Sequence, residues 1–138
     1  MRTLYLIDSS AWIEYFRKTG SPAHLEVKRL LAESPAAVAM TEPVMLELLA
    51  GAPSSHAFLQ VQALCNGLPM LRVEASVDWL EAAAVYRTTR AAGHTVRKSV
   101  DCLIAAVALR NKATLVHRDV DYDVIAEAIP RLEMRSLR

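Results

Sequence analysis

The sequence predicts an α/β fold, a three-layer α/β/α sandwich around a mainly parallel five-stranded sheet, formed as one domain over residues 1–138. Short apolar runs of strand character, such as "TLYLI" and "TLVHR", alternate with longer stretches of helical periodicity. Strands separated by helices at this spacing are joined by crossovers that lay them parallel. The length of 138 residues suits a single core, and a composition of 53% hydrophobic and 22% charged residues excludes a disordered chain. Two of the apolar runs also end at an aspartate. Ligands of parallel sheets bind at the carboxyl ends of strands, so residues just past a strand are the first to inspect.

Residues 3–7 form the first strand, which stops at Asp8. Ser9 and Ser10 carry N-cap chemistry for a helix over 11–18. Gly20 breaks it, and Ser21 with Pro22 at the first helical position opens a helix over 22–33. Residues 36–40 are the second strand, and Thr41 caps a helix carrying Glu42, Pro43 and Glu47 that ends at Gly51. Ser54 or Ser55 opens the next helix, to about Cys65, and residues 68–73 are a third strand. Ser76 caps a long helix to Gly93, with Trp79, Leu80, Ala83, Ala84 and Tyr86 at helical spacing. After a basic loop come a helix over 99–110, a strand over 114–116, a helix over 121–129 and a fifth strand over 132–134. There are no repeats and no low-complexity segments.

Several function classes drop out. No run approaches the roughly 18 apolar residues a membrane span requires, and residues 1–8 are too short an apolar stretch for an export signal. Cys65 and Cys102 lie in apolar helical patterns without CxxC spacing, which reads as two buried thiols in a reducing cytoplasm. The net charge of +1 leaves nucleic-acid binding to a local basic patch. The apolar excess points to a surface covered by a partner or a second copy.

The chemistry rests on acids. Asp8 and Asp119 follow strands, although an aspartate there also serves as a helix cap. Asp101 stands in the first turn of "SVDCLIAAVALR", where a carboxylate also complements the helix dipole. Glu47, in "VMLELLAG", is flanked by Met45, Leu46, Leu48 and Leu49, and a carboxylate in such a setting needs a pair or a cation. Glu42 lies five positions away, about 140° around the helix, so one face cannot present both. Glu47 is the chosen ligand and Glu42 a first-turn acid in a supporting place. "DVDYD" fails as a calcium loop, since Val124 stands where the turn needs Gly and Pro130 where the bidentate Glu belongs. Asp121 is then a cap for the following helix with a secondary place near the metal.

Carboxylates held together repel, by about 4 kcal/mol per pair at ~4 Å with an effective dielectric near 20. A divalent cation removes that repulsion. An all-oxygen set without a Cys or His cluster points to Mg²⁺ or Mn²⁺. Arg97 and Lys98 precede Asp101, and His117 and Arg118 precede Asp119. Bases clustered at an acidic metal site suit a polyanionic substrate, with these four positioned for its phosphates and, for a nucleic-acid substrate such as RNA, the candidate binding residues.

With these residues in place, "YLIDSSAWIEYF", "TEPVMLELLAG", "SVDCLIAAVAL" and "TLVHRDVDYDVIA" resemble, in order and over nearly the whole chain, the successive motifs of PIN-domain nucleases, specifically the VapC-type toxins of type II toxin–antitoxin pairs. The resemblance implies a five-stranded parallel sheet, Mg²⁺- or Mn²⁺-dependent endonucleolytic cleavage of RNA, a homodimer, and inhibition by a small cognate antitoxin. It puts the family's acids on Asp8, Glu47, Asp101 and Asp119, with Asp8, Asp101 and Asp119 holding the metal and Ser10 in the hydroxyl position of the first motif. The last motif usually ends in Phe where this chain has Tyr122.

Three other readings compete. A phosphatase that begins with strand and aspartate needs a second Asp at the position of Ser10, and a receiver domain needs an acidic pair near the N-terminus, leaving only Lys112 for its phosphate-contacting role. A catalytically inactive PIN-like binding module has no need of all four acids. For the antitoxin, Trp12, Ile13, Phe16, Leu25, Leu30 and Leu31 on the helices over 11–18 and 22–33 offer a groove for an apolar helix.

Overall fold

The parallel pairing that the apolar runs predict is formed, in a computed structural model that describes residues 3–138. The reading of residues 1–8 as no export signal rests partly on Met1 and Arg2, which lie outside the described residues. The element order is β1 (Tyr5–Ile7), α1 (Ser9–Arg17), α2 (Pro22–Glu33), a 3₁₀ turn (Pro35–Ala37), β2 (Val38–Ala39), α3 (Glu42–Ala50), α4 (Ser55–Gly67), α5 (Asp78–Ala91), α6 (Ser99–Asn111), β3 (Thr114–His117), α7 (Val120–Ala128) and β4 (Met134–Ser136). The sheet runs β2-β1-β3-β4 with every pair parallel.

The chain leaves β1 toward β2, then returns past β1 to β3 and continues to β4. Right-handed crossovers in opposite directions put their helices on opposite faces of the sheet. The packing agrees: α1 lies on α2, while α5, α6 and α7 pack on one another. The reversal of direction falls between β1 and β3, where an open parallel sheet leaves a crevice. The register sets Leu6 beside Leu115 and Ile7 beside Val116, so Asp8 emerges level with His117, two residues short of Asp119.

The expected third strand over 68–73 is not a strand. The segment makes one parallel bridge, Met70 beside Met40: the Met40 N–H donates to Pro69 O at 2.9 Å and the Leu71 N–H to Met40 O at 2.7 Å. Beyond it α3 begins, and no neighbouring backbone remains to pair with. The Val73 N–H instead donates to Glu42 Oε1 at 2.8 Å, and the Arg110 guanidinium donates to Arg72 O at 2.7 Å. The sheet therefore has four strands rather than five.

Helix α6 is buried at every position from Asp101 to Ala108, because three alanines and small or branched apolar residues let helices and sheet close on it from all sides. Its far end is anchored by Arg110, which donates to buried Asp78 at 2.9 and 3.0 Å and so ties the start of α5 to the end of α6. Lys112, exposed and left-handed at φ 53°, caps that same end, remote from Asp101. Both cysteines are free and buried.

Candidate active site

Asp8, one residue past β1, is the N-cap of α1: its Oδ2 accepts the Ser10 N–H at 2.9 Å. The cap role expected of Ser9 and Ser10 thus belongs to Asp8. Its own N–H donates to Val116 O at 2.9 Å, which fixes it against β3. The freed Ser10 Oγ accepts the Arg118 N–H at 2.9 Å, and Ser9 Oγ donates to Glu47 Oε1 at 3.0 Å.

Asp119 is likewise a cap, of α7, with Oδ1 accepting the Asp121 N–H at 3.0 Å. Asp121 is consequently not the cap expected from the sequence. It lies in the first turn of α7, and its buried carboxylate faces the other acids. Asp101, 1% exposed, enters from the first turn of α6, and its Oδ2 has no hydrogen-bond partner. Asp101, Asp119 and Asp121 each offer one oxygen, and these three lie within 4.8 Å of one another. Among the described residues this is the one group of three potential metal ligands.

Asp8 is joined to this group by Tyr122, whose hydroxyl lies 2.8 Å from Asp8 Oδ1 and 3.3 Å from Asp101 Oδ1. Sequence reasoning gave Tyr122 no role in the site. The available signal was its place three residues after Asp119, on the α7 face that carries buried Ile125. Glu47 stands at the rim, its side chain 27% exposed, with Lys98 Nζ 3.7 Å away. The apolar neighbours that suggested burial do not provide it, since Leu46 is 67% exposed. Glu42 faces the 68–73 segment through its bond to Val73 rather than the acids.

Burial, opposed by Lys98 and reinforced by Asp8, Asp119 and Glu47, pushes the Asp101 carboxyl up from 3.8 to about 7. Burial first, and then Asp8 and Asp101, hold the Tyr122 phenol well above its ordinary range, so it remains a donor. Cys102, behind Asp101, is raised to about 11 by burial and then by Asp101 and Asp121.

The expected RNA-binding residues divide. Arg97 donates to Asp121 from Nε at 3.2 Å and to Asp119 from a terminal nitrogen at 3.1 Å, and Lys98 lies 3.7 and 3.8 Å from Glu47 and Asp101. Arg118 reaches the surface but is paired with Glu14. His117 is a correction: it is fully buried, its Nδ1 accepts the Asp119 N–H at 3.0 Å, and burial lowers its pKa. It shapes the β3–α7 turn and has no surface to offer RNA.

Beside Glu47, a cleft of about 270 Å³ is lined by Ile13 and Phe16 of α1, Leu48 of α3, and Ala57 and Val61 of α4. The groove expected between the first two helices is corrected accordingly. Trp12 and Leu30 belong to the core, and α3 and α4 supply the second wall.

The family model described as PIN domain matches residues 5–128. A VapC ribonuclease of Mycobacterium bovis and ribonuclease VapC11 of Mycobacterium tuberculosis are each 51% identical to this chain over 135 residues, covering 98% of it and 100% of the relative. Among solved structures, DNA-bound VapBC from Salmonella typhimurium superposes with a TM-score of 0.75 at 15% identity, covering 99% of this chain and 100% of that one. VapC20 of Mycobacterium tuberculosis, described as a sarcin-ricin loop cleaving toxin, gives 0.62 at 23% identity, with 86% and 92% covered.

Proposed function

The chain belongs to the PIN domain family, and from that premise we propose that it is a VapC-type toxin, an endoribonuclease whose carboxylate cluster works with Mg²⁺ or Mn²⁺. The observation that carries the cation is the convergence of Asp101, Asp119 and Asp121 within 4.8 Å. The donor set fits a hard divalent ion: every ligand atom is a carboxylate oxygen, and buried Asp101 Oδ2 has no partner of its own. Asp8, Asp101 and Asp119 are the proposed ligands, with Asp121 beside them. A bound divalent cation supplies charge neutralisation at the phosphodiester and makes water a stronger acid.

The remaining steps fall to the chain's own residues. Glu47, open to solvent and oriented by Ser9, accepts the proton of the attacking water. Lys98 and Arg97 hold phosphate oxygens of the RNA, exchanging their present carboxylate partners for the substrate. Ser10 keeps the 117–119 turn against α1 through its bond from Arg118. The substrate is a cellular RNA, with structured transfer or ribosomal RNA the proposed class.

We further propose a small cognate antitoxin as the inhibitory partner, lodging an apolar helix in the cleft between α1, α3 and α4 next to Glu47. The VapBC complexes among the structural neighbours support this partner. A homodimer and a cytoplasmic site of action complete the proposal. No helix among the described residues is long and apolar enough to cross a membrane.

The test is cleavage of labelled RNA by the purified chain with Mg²⁺ or Mn²⁺, with EDTA, and with Asp119→Asn. Cleavage that persists in EDTA, or survives undiminished in the variant, would overturn the cation-dependent mechanism.

A further inference from the structure

Asp8 is the one proposed ligand with both carboxylate oxygens engaged by the protein. Oδ2 accepts the Ser10 N–H at 2.9 Å, and Oδ1 accepts the Tyr122 hydroxyl at 2.8 Å. Those two bonds fix the plane of the carboxylate and leave it no free rotation about its last torsion. Tyr122 is fully buried, so its hydroxyl approaches the acids from the protein interior. The same oxygen lies 3.3 Å from Asp101 Oδ1. A phenol has one hydrogen to give, and the shorter contact directs it to Asp8. Its oxygen then stands as a neutral spacer between two carboxylates from different elements, the β1–α1 junction and α6. The motif this segment resembles usually carries Phe here, a ring of the same shape without the donor.

We propose that Tyr122 is a positioning residue: its hydroxyl orients Asp8 and spaces it from Asp101, and thereby sets the affinity of the cluster for its divalent cation. This inference rests on the cation-dependent reading of the site. Groups that hydrogen-bond a ligand from behind fix its direction, and removing one weakens metal binding by about 10- to 100-fold. The Phe ring fills the Tyr volume, so Tyr122→Phe subtracts the donor and little else.

The experiment measures Mn²⁺ binding to the intact chain by electron paramagnetic resonance, without RNA, for the parent, Tyr122→Phe, Asp8→Asn and the double variant. Tyr122→Phe is expected to bind Mn²⁺ about 10-fold more weakly or worse. Its half-activating Mg²⁺ concentration for RNA cleavage rises in parallel, while kcat at saturating Mg²⁺ stays within a few-fold of the parent. In the Asp8→Asn background the same substitution changes Mn²⁺ affinity little, because the hydroxyl acts through Asp8. Equal Mn²⁺ affinity of parent and Tyr122→Phe overturns the proposal and leaves the cation reading standing, as does a loss of equal size with and without Asp8. A parent chain that binds no Mn²⁺ overturns the cation reading and the proposal with it. Circular dichroism and thermal melting in EDTA identify a misfolded variant, in which case Tyr122→Leu, which carries no donor and adds no volume, repeats the comparison under the same criteria.

Discussion

Replacing Asp101 with Asn in the cation-free protein should make it more stable, and the gain should depend on pH. Asp101 is 1% exposed, and its carboxyl is pushed from 3.8 up to about 7, chiefly by burial. A folded-state value above the unfolded one means the folded protein disfavours the charged form. Whatever stability this group contributes is fully present below about pH 4 and is lost as pH rises toward 7. Above pH 7 the loss is constant. A shift of about three units, at about 1.4 kcal/mol per unit, sets the penalty near 4 kcal/mol, and adjustment of Lys98 and the neighbouring acids brings the expected gain to about 2–4 kcal/mol. Urea unfolding in EDTA, at intervals from pH 4 to pH 8, reads it directly. Asp101→Asn should gain little at pH 4, progressively more up to pH 7, and no more beyond. Saturating Mg²⁺ should then stabilise the parent more than the variant and narrow the gap. A gain that does not vary with pH, or a variant less stable than the parent at pH 8, would refute the account of Asp101 as a buried charge awaiting a cation.

The two glutamates of α3 should behave differently. Glu47→Gln is expected to reduce RNA cleavage by orders of magnitude with little change in stability, whereas Glu42→Gln should cost about 1 kcal/mol through its weakened bond to Val73 and keep activity; the opposite ranking in cleavage assays transfers the role. Arg97→Ala should lower RNA affinity and reduce the slope of log affinity against log salt by about 0.9 or less, one phosphate contact, as read by titration at several salt concentrations. An unchanged slope would make Arg97 a structural clamp on Asp119 and Asp121. Arg110→Ala strands buried Asp78 and should destabilise the fold by about 3 kcal/mol in urea unfolding, with RNA cleavage by the folded fraction unaffected.

The strands that position the site were legible because each is short, apolar and followed at once by a polar residue. Asp8 and Asp119 could be found by their place after β1 and β3 alone. The segment at 68–73 misled for a physical reason: its composition suits a strand, but pairing requires a neighbour, and β2 has only two residues before Thr41 turns the chain into α3. Hydrogen bonds from Val73 to Glu42 and from Arg110 to Arg72 replaced the missing ladder. Glu47 misled in the opposite sense, since apolar neighbours along one helix do not bury a residue on the face that points away from them.

What the sequence could not display is the pairing of charges. Arg97 and Lys98 were legible as bases beside acids, yet spacing along the chain says nothing of whether a base faces outward to a phosphate or inward to a carboxylate. The structure turns both inward, Arg97 onto Asp119 and Asp121 and Lys98 toward Glu47 and Asp101. The reason is electrostatic. Acids gathered at one site must be neutralised by whatever cations are near, and two flexible side chains on the loop before α6 can reach them. On the proposed function each then has two competing uses, as counter-charge to the cluster and as contact for RNA. A divalent ion that satisfies the cluster removes the first use and makes the second available. Cation binding and RNA binding should accordingly reinforce one another, and by linkage each raises the affinity for the other by the same factor. Titrating RNA onto Glu47→Gln, with and without Mn²⁺, reads that factor: coupling that persists undiminished when Arg97 and Lys98 are also changed to Ala would show that the cation acts on RNA by some route other than releasing these two side chains.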